Sequence, residues 1–159
     1  MYYPELGIKN TNKGFKVLIL ILLSINISCG PGYESATYKN LSREDKSKFE
    51  EYMILGKEVY NIHCINCHMA NGKGLPGIMP PLAKSDYMAN NQNTIPCLLR
   101  TGTKDTLVVN GREYPPQMPD HNLTNLDMAM VLTYTNNSWG NEFGFVPVKE
   151  VDMLLEDCD

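Results

Sequence analysis

Five residues constrain this chain more than any other part of it: Cys64-Ile65-Asn66-Cys67-His68. Two thiols separated by two residues can reach vinyl groups on adjacent pyrroles and form thioethers. The next residue is then carried under the iron. The spacing therefore predicts one covalently attached haem c, with Cys64 and Cys67 as the thioether cysteines and His68 as the proximal iron ligand. Two other chemistries use the same residue types. A zinc site would draw on His63, Cys64, Cys67 and His68, although usual zinc sites take their second pair of ligands from farther along the chain. A thiol redox motif would sit beside a strand–helix–strand pattern, which this sequence lacks.

The N-terminus reads as a separate unit. Lys9, Lys13 and Lys16 precede an apolar run from Val17 to Ile27, which ends at Ser28-Cys29-Gly30. A basic stretch, a short apolar run and small residues are the marks of a secretory signal, and residues 1–28 are expected to be removed. The run contains Ser24 and Asn26 and falls short of the roughly 20 apolar residues that a spanning helix needs. Cys29 after Ile27-Ser28 resembles the acylated cysteine of a bacterial lipoprotein, and plain secretion with cleavage near Cys29 is the alternative. Residues 29–45 are then a polar, lipid-anchored linker, and residues 46–159 the folded domain.

Composition enters here as an exclusion. Removing residues 1–28 takes away three Lys and one Glu, leaving 11 basic and 17 acidic residues. Nucleic-acid binding needs clustered positive charge, so the balance argues against that partner class. Five cysteines are an odd number, which rules out a fully paired disulfide scaffold. Export would place the thiols where pairs tend to oxidise.

Along the exported part, Ser42 with Asp45 reads as a helix cap. The helix it opens carries a stripe of Phe49, Tyr52, Met53, Gly56, Val59 and Tyr60 and runs into the cysteine motif. Asn71 to Pro81, rich in Gly and Pro, reads as an ordered loop. A short helix is expected over 95–101. A brief extended segment over 106–109 leads into the turn signal Asn110-Gly111. Three prolines keep Tyr114 to Pro119 out of a helix. Thr124 with Asp127 forms a second capping box, opening a helix with the stripe Leu126, Met130, Val131 and Tyr134. A terminal helix fits 149–156. The result is an all-α architecture of three to four helices and long loops, with too little regular structure to hold its shape unless a prosthetic group fills the core.

The sixth iron position calls for a Met, a His or no protein ligand. Met118 lies in Tyr114-Pro115-Pro116-Gln117-Met118-Pro119, where the prolines stiffen the loop. His121 is the rival. Met69, Met79 and Met88 stand close to the attachment motif, while Met128 and Met130 on a helix read as core filler. His63 reads as a surface or core residue.

With these residues in view, the chain resembles the class I c-type cytochromes over about residues 46–140. Gly56, Tyr60 and Cys64 keep the family's four-residue steps, and Gly56 is the small residue expected where the first and last helices cross, facing Val131 and Tyr134. The stretch from Gly72 to Leu82 resembles the loop whose proline carbonyl accepts the proximal His Nδ1–H, which makes Pro80 the candidate partner of His68. Asn110–Pro119 and Tyr134–Gly140 resemble the subgroup found with terminal oxidases and nitrite reductases. The resemblance implies a cytochrome c fold around one haem c and an electron carrier rather than an enzyme. The implied iron ligands are His68 and Met118. The implied partners are a respiratory reductase and a terminal oxidase or nitrite reductase, met on the periplasmic side of a membrane. Cys97 and Cys158 have no standard role in that family, and either a disulfide or two isolated thiols fits them. Two other readings are a haem-based gas sensor or ligand-binding domain, and a fixed electron-transfer subunit of a larger respiratory complex. Lys73 and Lys84 flank the stretch expected around the haem edge and would steer acidic partners.

Overall fold

The longest element starts where the cap predicts. Ser42 accepts a hydrogen bond from the Asp45 backbone N–H at 3.1 Å, and helix α2 runs Arg43–His63. This computed structural model describes residues 32–158. The chain divides into two compact units after Tyr33, and the fold below is that of the second, Glu34–Asp159. The expected signal peptide and Cys29 lie outside the described residues.

Ahead of α2, a one-turn helix α1 (Ala36–Asn40) is capped by Ser35 inside the stretch expected to be linker. Its Tyr38 hydroxyl donates to Glu50 and its ring stands 5.6 Å from Phe49, so aromatic packing gathers this short segment onto α2. The turn α3 (Ile65–His68) continues from α2 through Cys64. Next come α4 (Asp86–Asn90), capped by Ser85, and α5 (Ile95–Thr101), with Pro96 in its first turn. Strands β1 (Leu107–Val109) and β2 (Arg112–Tyr114) pair antiparallel with Val109 opposite Arg112. Asn110 and Gly111, at φ 51° and 72°, supply the two-residue turn that such a register needs. The turn is held to α4 by a reciprocal pair: Asn110 N–H donates to Asp86 Oδ1, and Asp86 N–H donates to Asn110 Oδ1. Helix α6 (Asn125–Asn136) opens with the expected Thr124–Asp127 capping box, and α7 (Val148–Glu156) closes the domain.

The fold is all-α apart from this small hairpin. Three short helices (α1, α3 and α4) exceed the three to four expected, because helices of four or five residues leave no periodic stripe to read.

Helices α2 and α6 cross at Gly56. A Cβ there would stand 2.0 Å from the Met130 carbonyl oxygen and 2.9 Å from Tyr134 Cβ, so the backbones touch at a distance only glycine allows. The partners are Met130 and Tyr134, with Met130 taking the place expected of Val131. The stripe expected on α6 also needs correction. Leu126 is 46% exposed, whereas Met128 through Thr133 are all buried. A helix enclosed on nearly every side has no polar face to mark its period. Helix α7 closes over α6 with Val151 fully buried, and a Cys97–Cys158 disulfide ties its end to α5. Of the two arrangements open for these cysteines, the paired one is present.

Candidate haem-binding site

Cys64 sits at the joint of α2 and α3, where its N–H donates to Tyr60 O and its carbonyl accepts from His68 N–H, both at 2.9 Å. One helical turn therefore presents Cys64, Cys67 and His68 together. Cys64 and Cys67 are free thiols, the first buried and the second exposed. Burial, and after it the neighbouring Cys67, pushes the Cys64 thiol up to about 11.

His68 is buried, with Nδ1 2.9 Å from the Pro80 carbonyl oxygen. A carbonyl only accepts, so the hydrogen bond assigns the proton to Nδ1 and leaves the Nε2 lone pair free. Burial lowers the pKa of His68, against the Pro80 hydrogen bond that raises it, and the nearby His121 lowers it further. The ring is thus held as a neutral imidazole, the form that ligates a metal.

The loop after His68 delivers Pro80 through glycines. Gly74 has φ 58°, and a Cβ on it would fall 2.3 Å from Met79 O and 2.6 Å from Pro80 O. Gly74 N–H donates back to His68 O at 3.1 Å, and Leu75 N–H donates to Met79 O at 2.9 Å, closing a tight return. Gly72, at φ 65°, lies under the Trp139 ring, whose Nε1–H donates to Ala70 O at 3.0 Å. Buried Asn141 fixes the far end of the loop: it accepts from Lys84 N–H at 2.7 Å and donates to Leu82 O and Thr135 O at 3.0 and 2.8 Å. The sequence reading missed Asn141 because a single Asn after a glycine carries no signal. Lys73 and Lys84 are both exposed along this loop.

Two cavities of about 660 and 840 Å³, open mouths included, adjoin the Cys64–His68 turn. The first is lined almost wholly by carbon, including Met88, Leu99, Val109, Val131 and Leu132. The second lies beside Cys67, His63, His121 and the Pro115–Pro119 loop. Cys64, His68, Pro80 and Met118 border both; His121 borders only the second. His63, an exposed residue, meets the His121 ring edge-on at 6.1 Å instead of joining the two cysteines. Among the described residues no three His, Cys, Asp or Glu side chains gather as a metal-ion site.

These residues fit a haem. The cavity walls beside the cysteines are mostly apolar, the two free thiols border them, and the buried imidazole turns an unprotonated nitrogen away from Pro80. A cysteine pair and histidine on one turn beside such a cavity define a c-type haem protein.

The chain belongs to the cytochrome c family, whose model, described as Cytochrome c, matches residues 53–139. It is 30% identical over 91 residues to a cytochrome c-552 of Thermus thermophilus, a match covering 54% of this chain and 69% of that relative. A second cytochrome c-552 of the same species is 30% identical over 91 residues, and there the chain spans 61% of the relative's length. The cofactor is accordingly one covalent haem c, and the chain is a monohaem electron-transfer cytochrome.

Proposed function

We propose that this cytochrome carries single electrons in a respiratory chain, with His68 and Met118 as the two axial ligands of the haem iron. The observation that carries this reading is that both side chains border both cavities beside the thioether cysteines. When bound, the haem supplies a reversible one-electron change of oxidation state. The protein's part is to hold it. Cys64 and Cys67 attach it, and Pro80 fixes the proton of His68 on Nδ1 so that Nε2 faces outward from that bond. The neutral, soft thioether of Met118 favours the ferrous state and so raises the reduction potential. If His68 and Met118 both held the iron, nothing further would need to bind there, as a carrier rather than a gas sensor requires. The resemblance of residues 110–119 and 134–140 to the subgroup found with terminal oxidases and nitrite reductases supports such an enzyme as acceptor, with a respiratory reductase as donor.

The residues before the domain support export to the periplasmic side, with acyl chains on Cys29 as the anchor. Among the described residues no helix is long and apolar enough to cross a membrane. The reduced holoprotein should show a low-spin spectrum and should not bind carbon monoxide. A high-spin spectrum, or ready carbon monoxide binding, overturns the two-ligand reading. Incorporation of a labelled fatty acid at Cys29 checks the anchor.

A further inference from the structure

Met118 stands in a loop with prolines on both sides, yet that loop has no secondary structure to fix its depth. Its position comes from the end of α5. Gly102 closes α5, its N–H donating to Leu98 O at 2.9 Å, and at φ 72° it brings the chain flat against the Met118 segment. A Cβ on Gly102 would stand 2.7 Å from Met118 O and 2.9 Å from Asp120 N, so no side chain separates the two strands of chain. The next residue, Thr103, grips Met118 at both backbone groups. Thr103 N–H donates to Met118 O at 2.9 Å, and Met118 N–H donates to Thr103 Oγ1 at 3.0 Å. Farther along, His121 N–H donates to Leu99 O at 3.1 Å.

Pro119, the following residue, has no N–H, and Pro115 and Pro116 have none before it. Met118 N–H is therefore one of the few donors the loop owns, and the Thr103 hydroxyl takes it. Thr103 also borders the cavity that Met118 borders.

We propose that Thr103 is a positioning residue: its hydroxyl, with its own N–H, sets the reach of the Met118 thioether towards the iron. This rests on Met118 being the sixth ligand. Without the hydroxyl the loop keeps its prolines, the Thr103 N–H bond and the His121 N–H bond, but loses the bond that holds the Met118 N–H against the end of α5. The thioether should then leave the iron more readily, and external ligands should replace it.

The test uses the full-length holoprotein and imidazole as the competing ligand. Thr103→Val keeps the shape and removes the hydroxyl. It should keep the haem attached and the ferric sulfur-to-iron absorption in the red, while imidazole binding tightens about tenfold, the equivalent of one lost half-buried hydrogen bond. Thr103→Ser should restore the original affinity. Met118→Ala separates the two claims. It should abolish the red absorption; if the absorption persists, the ligand reading falls and the Thr103 proposal with it. If Met118→Ala loses the absorption while Thr103→Val binds imidazole as tightly as the unmodified protein does, the ligand stands and the positioning role is overturned. Amide hydrogen exchange in the reduced, unmodified protein gives a readout independent of any variant. A Met118 N–H that exchanges as fast as an open loop overturns the proposal, and a protected one supports it.

Discussion

At the residue scale the attachment motif shows two cysteines of identical chemistry in unequal surroundings. Cys64 is enclosed at the helix joint with its thiol pushed up to about 11, whereas Cys67 faces solvent. Thiolates, not thiols, are nucleophiles, so wherever the joint is formed Cys64 is the less reactive of the two. The pairing of His68 with Pro80 belongs to the same scale. It was legible only through a family pattern, because the twelve intervening residues do not themselves say which carbonyl returns. Gly74 decides it, by letting the loop close to within a Cβ of Met79 and Pro80.

Among the elements, the α2–α6 crossing and the α5–α7 disulfide carry the domain. Gly56→Ala should destabilise the domain by about 3 kcal/mol, because the atom struck is a helix carbonyl that cannot rotate away. The midpoint of urea unfolding measures this, and an unchanged midpoint would mean that the helices do not meet there. The disulfide joins residues 61 apart in sequence, and closing a loop of that length stabilises by about 4 kcal/mol in the chain-entropy account. The paired variant Cys97→Ser with Cys158→Ser should lose a large part of that in thermal unfolding while keeping its haem, since Cys64 and Cys67 are untouched. The cysteines themselves were plain in the sequence. Their pairing depends on α7 folding over α6 to reach α5, which no local pattern states.

For the whole molecule the relevant quantity is charge. The chain carries 18 acidic against 14 basic residues, yet Lys73 and Lys84 stand exposed along one loop. Among the described residues the ion pairs are Lys39–Glu34 and Lys48–Glu44, and neither includes Lys73 or Lys84. Docking steered by such exposed charges is screened beyond about 8 Å at physiological ionic strength. The bimolecular electron-transfer rate with an acidic redox partner should fall roughly tenfold as salt is raised from low to molar concentration. A rate that stays flat would point to an apolar docking surface instead.

The sequence by itself determined what local chemistry can specify. The Cys-x-x-Cys-His spacing singled out Cys64, Cys67 and His68 as candidates, side-chain caps fixed the starts at Ser42 and Thr124, and Asn110-Gly111 fixed the hairpin turn. Each depends on groups within a few residues of one another. Tertiary structure decided what long-range contact specifies. It chose Met130 as the partner of Gly56, buried α6 on nearly every side, joined Cys97 to Cys158, and set Thr103 and Asn141 as braces of the loops around the cavity. Those outcomes turn on which backbones approach one another, and a linear pattern of side chains does not record the distance between carbonyls brought together from far along the chain.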